Sequence, residues 1–156
     1  MVEARRYWIV VGSPENFQAT RAHGFSVQGF KSRHRKKAEQ MQPGDKLVYY
    51  LTGEKAFAAV ATVTSTFFED HTPIWRSKDP KKQAEDYPWR VTIEPEIVLP
   101  AGNVLPAEPL VCRLRFTRKW PAEHWTLAFQ GNLHRIEEDD FEVIRNAMVS
   151  ALATIA

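Results

Sequence analysis

The segment Gly29–Tyr50, GFKSRHRKKAEQMQPGDKLVYY, decides how this chain is read. Its second half is turn chemistry running into a strand: Pro43-Gly44 stops the preceding element, and Lys46–Tyr50 (KLVYY) carry strand formers. Its first half gathers Lys31, Arg33, Arg35, Lys36 and Lys37 around His34, with a helical pattern expected from Arg33 to Gln42. The whole chain has a formal net charge of only +2. The balancing acids sit far along the sequence, in the block Glu137, Glu138, Asp139, Asp140 and Glu142. An anionic partner would therefore meet a basic region, not a basic surface.

Upstream, Tyr7–Val11 (YWIVV) reads as a buried strand. Ser13 is a good N-cap, Pro14 suits the first helical position and Glu15 the first turn, so a helix is expected from Pro14 to about His23, stopped by Gly24. Phe25–Phe30 reads as irregular. Downstream, AFAAVATVTSTFF (Ala56–Phe68) reads as a strand, and Asp70–Tyr87, polar and broken by Pro73 and Pro80, as a long surface loop. In PWRVTIEPEIVL, Trp89, Val91 and Ile93 alternate with Arg90, Thr92 and Glu94, which predicts a half-buried strand. LVCRLRF (Leu110–Phe116) reads as another short strand. Phe141, Ile144, Met148 and Leu152 share one face of a helix over Glu138–Ala153. The sum is an α+β fold: a mixed, mostly antiparallel sheet curled into a partly closed barrel, with short helices around it. The 156 residues are expected to form a single domain, 1–156.

The single cysteine, Cys112, excludes an internal disulfide framework and is expected to be a buried structural thiol. The apolar run near the N-terminus is too short for a membrane span, so a soluble, cytoplasmic protein with no membrane partner is expected. The five histidines are scattered without ligand spacing, and neither a metal nor another cofactor is expected. No nucleophile or phosphate-loop motif occurs; Lys46, Glu54 and Lys55 form an acid–base set on paper only. The basic stretch is the sharper signal, because Lys and Arg match phosphate oxygens and Ser32 with the nearby backbone amides could add neutral contacts. Aromatic rings beside such charge suit base stacking. Trp75 reads either as a loop anchor or as a stacking surface. Of Trp120 and Trp125, one is expected to pack in the interior; Trp8 and Trp89 belong to the core.

In order and spacing, YWIVVGSPEN, GFSVQGFKSRHRKKAEQMQPGDKLVYYLTG, AFAAVATVTS, YPWRVTIEP and FTRKW…FQGNLHRIEEDDFEVI resemble the EVE domain over about residues 6 to 146. The motifs Met-x-Pro-Gly-Asp-x-x-x-Tyr-Tyr and Phe-x-Gly-x-Leu…Asp-Phe are the most specific parts. EVE domains belong to the PUA-like superfamily, with YTH and ASCH domains. The resemblance implies a PUA-like pseudobarrel, and binding of RNA or DNA carrying a modified base without catalysis. It places the base pocket at Ser13 and Asn16 and along Phe25 to Lys31, with Phe25, Ser26, Gly29 and Phe30 as its candidate contacts. Phe30 or Phe25 would take the aromatic role, with Trp75 or Trp120 as another wall. Where many relatives have Trp or His, this chain has FSVQGF. The phosphate rim would be Lys31, Arg33, Arg35, Lys36 and Lys37. Two alternatives stand beside it: an ASCH-like amidohydrolase acting on modified nucleosides, which would use Lys31 or Lys46 with Glu15, and a protein-binding adaptor. Oligomeric state is left open.

Overall fold

The computed structural model describes residues 5–77, 79, 81 and 84–155; Pro80, one of the two prolines expected to break the long loop, lies outside them. In chain order the elements are β1 (Tyr7–Gly12), α1 (Pro14–Ala22) and β2 (Val27–Phe30), then a 3-10 turn at Ser32–His34 leading into α2 (Arg35–Gln40). There follow β3 (Lys46–Leu51), β4 (Ala56–Val63), β5 (Phe68–Glu69), β6 (Trp89–Val98) and β7 (Leu105–Pro106). Two 3-10 segments (Glu108–Arg113 and Ala122–Phe129), β8 (Leu133–Ile136) and α3 (Glu138–Ile155) complete the chain.

The main path through the sheet is β2-β6-β4-β3-β1-β8, with β5 added to β6 and β7 to β4. Among the described residues only β1 and β3 pair in parallel; the other pairings are antiparallel. A parallel pair needs a crossover, and here the crossover is α1, β2 and the basic segment. Its apolar residues Phe17, Phe25, Phe30, Ala38 and Met41 pack on the sheet face that presents Trp8, Val10, Leu47 and Tyr49. The alternate residues Tyr7, Ile9, Val11, Val48 and Tyr50 face a second cluster built with Phe129, Phe141, Ile144 and Met148. The mixed, curled sheet and the buried β1 and Trp8 match the sequence expectation.

Three expectations are corrected. Phe25–Phe30 is not irregular, because Val27–Phe30 pair antiparallel with β6. Gly24 (φ +69°) and Phe25 (φ +53°) are both left-handed, and the Phe25 and Gly24 amides donate to Thr20 O and Arg21 O. That Schellman closure ends α1 and turns the chain directly into a strand. Leu110–Phe116 is not a strand: a 3-10 turn occupies most of it, held by Thr117 Oγ1 donating to Val111 O and Leu114 O, and it leaves Cys112 exposed. Leu152 is 39% exposed, whereas Phe141, Ile144 and Met148 of the same helix are buried. Pro95 sits inside β6 at a register shift between Val60 and Ala61 of β4, as a residue without an N–H donor requires.

Asp45 explains the Pro-Gly-Asp motif. Its buried carboxylate accepts from Arg6 N at 3.0 Å and Gln42 N at 3.1 Å, closing the turn before β3 and tying it to the start of β1. Asp45→Ala leaves two amides without acceptors, so a loss of roughly 1–3 kcal/mol is expected in chemical denaturation. Asp45→Asn should recover part of it.

Candidate functional site

At one end of the parallel strand pair lies a cavity of about 200 Å³. This is below the roughly 300–1,000 Å³ of drug-sized sites, and suits one ring system with small substituents. It is bounded by the ends of β1 and β3, by α1, by β2 and by the loop that follows β5. Of the residues singled out in the sequence, Ser13, Asn16, Gly29, Phe30, Lys31 and Trp75 line it.

Trp75 comes from the loop expected to lie on the surface, yet it is 2% exposed. Its indole N–H donates to Thr20 Oγ1 at 2.9 Å. The ring lies on the backbone of Gly29: a Cβ there would fall 2.7 Å from Tyr87 O and still closer to the Trp75 ring. Glycine is required at this point by contact, not by its φ. The loop is held along its length. Asn16 Nδ2 donates to Arg76 O at 2.9 Å and to Tyr87 Oη at 3.3 Å, and Asn16 Oδ1 accepts from Arg76 N at 2.9 Å. Asn16 therefore clamps the loop, and both of its amide donors are already engaged.

Arg90, expected on the solvent face of β6, is 1% exposed. Its guanidinium donates to Tyr87 O, Asp86 O and Thr72 O, lies 3.5 Å from Asp70 Oδ1, and sits over the Trp75 ring at 5.1 Å from the centroid. Tyr87, a lining residue, has φ +55°. Bonds at its N–H (Glu85), its carbonyl (Arg90) and its hydroxyl (Asn16) hold it in that sparsely populated region.

The other expected pocket residues lie elsewhere. Phe25 is turned by its left-handed backbone into the core, edge-on to Phe17 and Tyr49. Ser26 is exposed and its hydroxyl donates back to His23 O at 2.7 Å. Trp120 packs against the cluster on the opposite sheet face. Trp125, also in that cluster, is the more deeply buried of the pair.

The basic stretch is divided. Lys31 reaches the cavity, and Arg33 donates to Asn132 Oδ1 at 2.9 Å on its lining. Arg35 pairs with Glu39 at 2.9 Å and lies over Trp89; Lys37 donates to Leu133 O; Lys36 is exposed. Ser32 is not open to a phosphate: its amide and hydroxyl already donate to the Glu85 carboxylate at 3.0 and 2.9 Å. Lys46 is bound to Glu96, which Arg145 also contacts, and does not line the cavity; neither does Glu15. Burial works against the Glu96 carboxylate, but the bonds from Lys46 and Arg145 hold it below the usual carboxylate range. Among the described residues no Asp or Glu lines the cavity, and no cluster of His, Cys, Asp and Glu could hold a metal ion.

Gln28, inside the expected segment, lines the cavity too, and sequence reasoning missed Thr20, His34, Tyr49, Tyr87 and Asn132 in the lining. Tyr87, an aromatic residue closing a polar loop before Pro88, carried a usable signal; Thr20 carried none. Two lining atoms, Tyr49 Oη and His34 Nε2, are buried without a hydrogen-bond partner, which suits contact with a polar ligand edge or water. Burial pushes the Tyr49 phenol far up, so it stays a neutral donor. His34 is pushed down to about 4, chiefly by burial and then by Lys37, Arg33, Lys31 and His134, so it is neutral near pH 7.

Gly29→Ala should displace Trp75 and open the loop, read as faster amide exchange at Arg76 and a lower melting temperature. The His34 shift gives a signed pH effect. The unfolded chain takes up the proton near 6.5 and the folded one only near 4, so this stabilisation is present above 6.5 and is lost as pH falls toward 4. His71 acts in the opposite sense: hydrogen bonds to Glu69 and Asp86 raise it, so its contribution is present at lower pH and is lost as pH rises. Denaturation of His34→Gln across this window should show a flatter pH dependence than the parent, and an unchanged profile would reject the assignment.

The family model "EVE domain" matches residues 6–147. A UPF0310 protein of Pyrococcus horikoshii is 28% identical over 153 residues, covering 92% of this chain and 99% of that protein. A UPF0310 protein of Pyrococcus abyssi is 28% identical over 151 residues, covering 91% and 99%. Among solved structures, a hypothetical protein from Leishmania major superposes with a TM-score of 0.66 at 17% identity, covering 97% of this chain and 99% of that one. A YTH domain-containing protein mmi1, solved in complex with RNA, superposes with a TM-score of 0.67 at 14% identity, covering 96% and 85%. These structural likenesses establish a shared YTH-like fold, and the match over residues 6–147 shows that the chain belongs to the EVE domain family.

Proposed function

We propose that the chain binds nucleic acid by taking one modified base, flipped out or in a single strand, into the cavity bounded by Ser13, Gly29, Phe30 and Trp75. The carrying observation is the combination of a ring-sized, aromatic-walled cavity with Lys31 and Arg33 at its edge. Stacking on aromatic walls reads the base, while the cations hold phosphates without regard to sequence. The fold shared with an RNA-bound YTH domain supports this reading. The hydrolase alternative finds no support: of its candidate residues Lys31, Lys46 and Glu15, only Lys31 lines the cavity.

The test is binding to a panel of oligonucleotides that differ in a single modified base. A modified strand should bind more tightly than its unmodified parent. Trp75→Ala should reduce that preference by roughly 1–3 kcal/mol, the scale of one stacked base, with folding checked in parallel. An Arg33→Ala, Lys36→Ala double variant should weaken both strands alike and flatten the salt dependence, whose log–log slope is about −0.7 per phosphate contact on a single strand. A panel with no preference for any modified base would reject the proposal.

A further inference from the structure

Three of the six aromatic rings that line the cavity have one of the protein's own cations beside them, two of these cations lying outside the cavity. Arg90, which does not line the cavity, covers Trp75 with its guanidinium 5.1 Å from the ring centroid. Arg21 lies 5.4 Å from the centroid of Phe17, another lining ring, and Lys31 Nζ lies 6.0 Å from that of Tyr87. A cation bound to an aromatic cage draws its affinity from the negative faces of the rings and from nearby carboxylates. Here three lining rings each satisfy a positive group already, and no Asp or Glu lines the cavity among the described residues. Lys31 and Arg76, both lining residues, add positive potential, and the one imidazole in the lining, His34, is neutral near pH 7.

We infer that the cavity selects its ligand by charge, accepting an uncharged, electron-rich modified base and rejecting bases that methylation has made cationic. The inference rests on the base-binding reading above and narrows its ligand class. An uncharged ring presents acceptor atoms to the positive surroundings and buries without a charge to desolvate. A cationic ring would lose its hydration, gain no carboxylate and meet positive groups beside three of the rings, whereas an uncharged base stacks on the same walls without that repulsion.

Isomer pairs test this, because they match in mass, methyl count and strand. Oligonucleotides of one sequence would carry N6-methyladenosine or N1-methyladenosine at one position, and 5-methylcytidine or 3-methylcytidine at another. N1-methyladenosine and 3-methylcytidine are cationic at neutral pH. Calorimetric titration should show at least one uncharged isomer binding roughly tenfold or more tightly than its cationic counterpart, the scale of a cation–π contact forgone. Lys31→Gln, which removes the cation beside Tyr87, should narrow that gap. Equal or tighter binding of the cationic isomers than of the uncharged ones, with both above the unmodified strand, would overturn charge selection and leave base reading standing. Equal binding of every modified and unmodified strand would remove base reading, and this inference with it.

Discussion

The contact between the Trp75 indole and the backbone of Gly29 is the constraint on which the site depends. It is available only because Gly29 has no Cβ, so a strand backbone and a ring can meet where a side chain would stand. The contact joins β2, the loop after β5 and, through the indole N–H on Thr20, helix α1. These pieces are distant in sequence, and the cavity exists because they converge. Without the contact, the loop would lose Trp75, more deeply buried than its other aromatic residue, Tyr87.

Burying that loop raises a second requirement, since a loop carries polar backbone that must be satisfied. Two side chains meet it. Asn16 satisfies both backbone groups of Arg76, and Arg90 donates to three loop carbonyls while covering the ring they frame. A guanidinium suits this role, being planar, rich in donors and charged at any working pH. Removing it would strand carbonyls and expose the back of Trp75 at once. The loop is thus a wall of the cavity, fixed by a polar lattice as firmly as by apolar contact. The exposed basic residues of α2 differ in kind, because in water their charge costs little and specifies little.

Much of the scaffold was legible in the sequence because local chemistry and tertiary demand agree there. Ser13 caps α1 as its position suggests, accepting from Asn16 N. Tyr7–Val11 is apolar on both sides because both sheet faces are covered. The motifs that carry the family resemblance are largely structural: Asp45 closes the turn before β3, Phe129 stacks on Tyr50 at 3.9 Å, and Asp140 accepts from the amides of Arg115 and Phe116. Where local and tertiary demands diverged, the reading failed. Leu110–Phe116 has strand-forming residues but is bent by the hydroxyl of Thr117, and Phe25, an obvious aromatic for a pocket, is turned inward by a helix-closing motif.

The amino-acid sequence by itself determined the family, the class of sheet, the capped first helix and the stretch where positive charge gathers, because each is written in short-range spacing. Tertiary structure alone decided that Trp75 is a wall, that Asn16 is a clamp, that Arg90 is buried and that Glu85 holds Ser32. The physical reason is common to all four. A polar side chain is stable in the interior only when its partners are supplied, and each of the four depends on at least one partner more than ten residues away. Periodicity records which face of an element is apolar; it does not record which distant carbonyl waits for a donor.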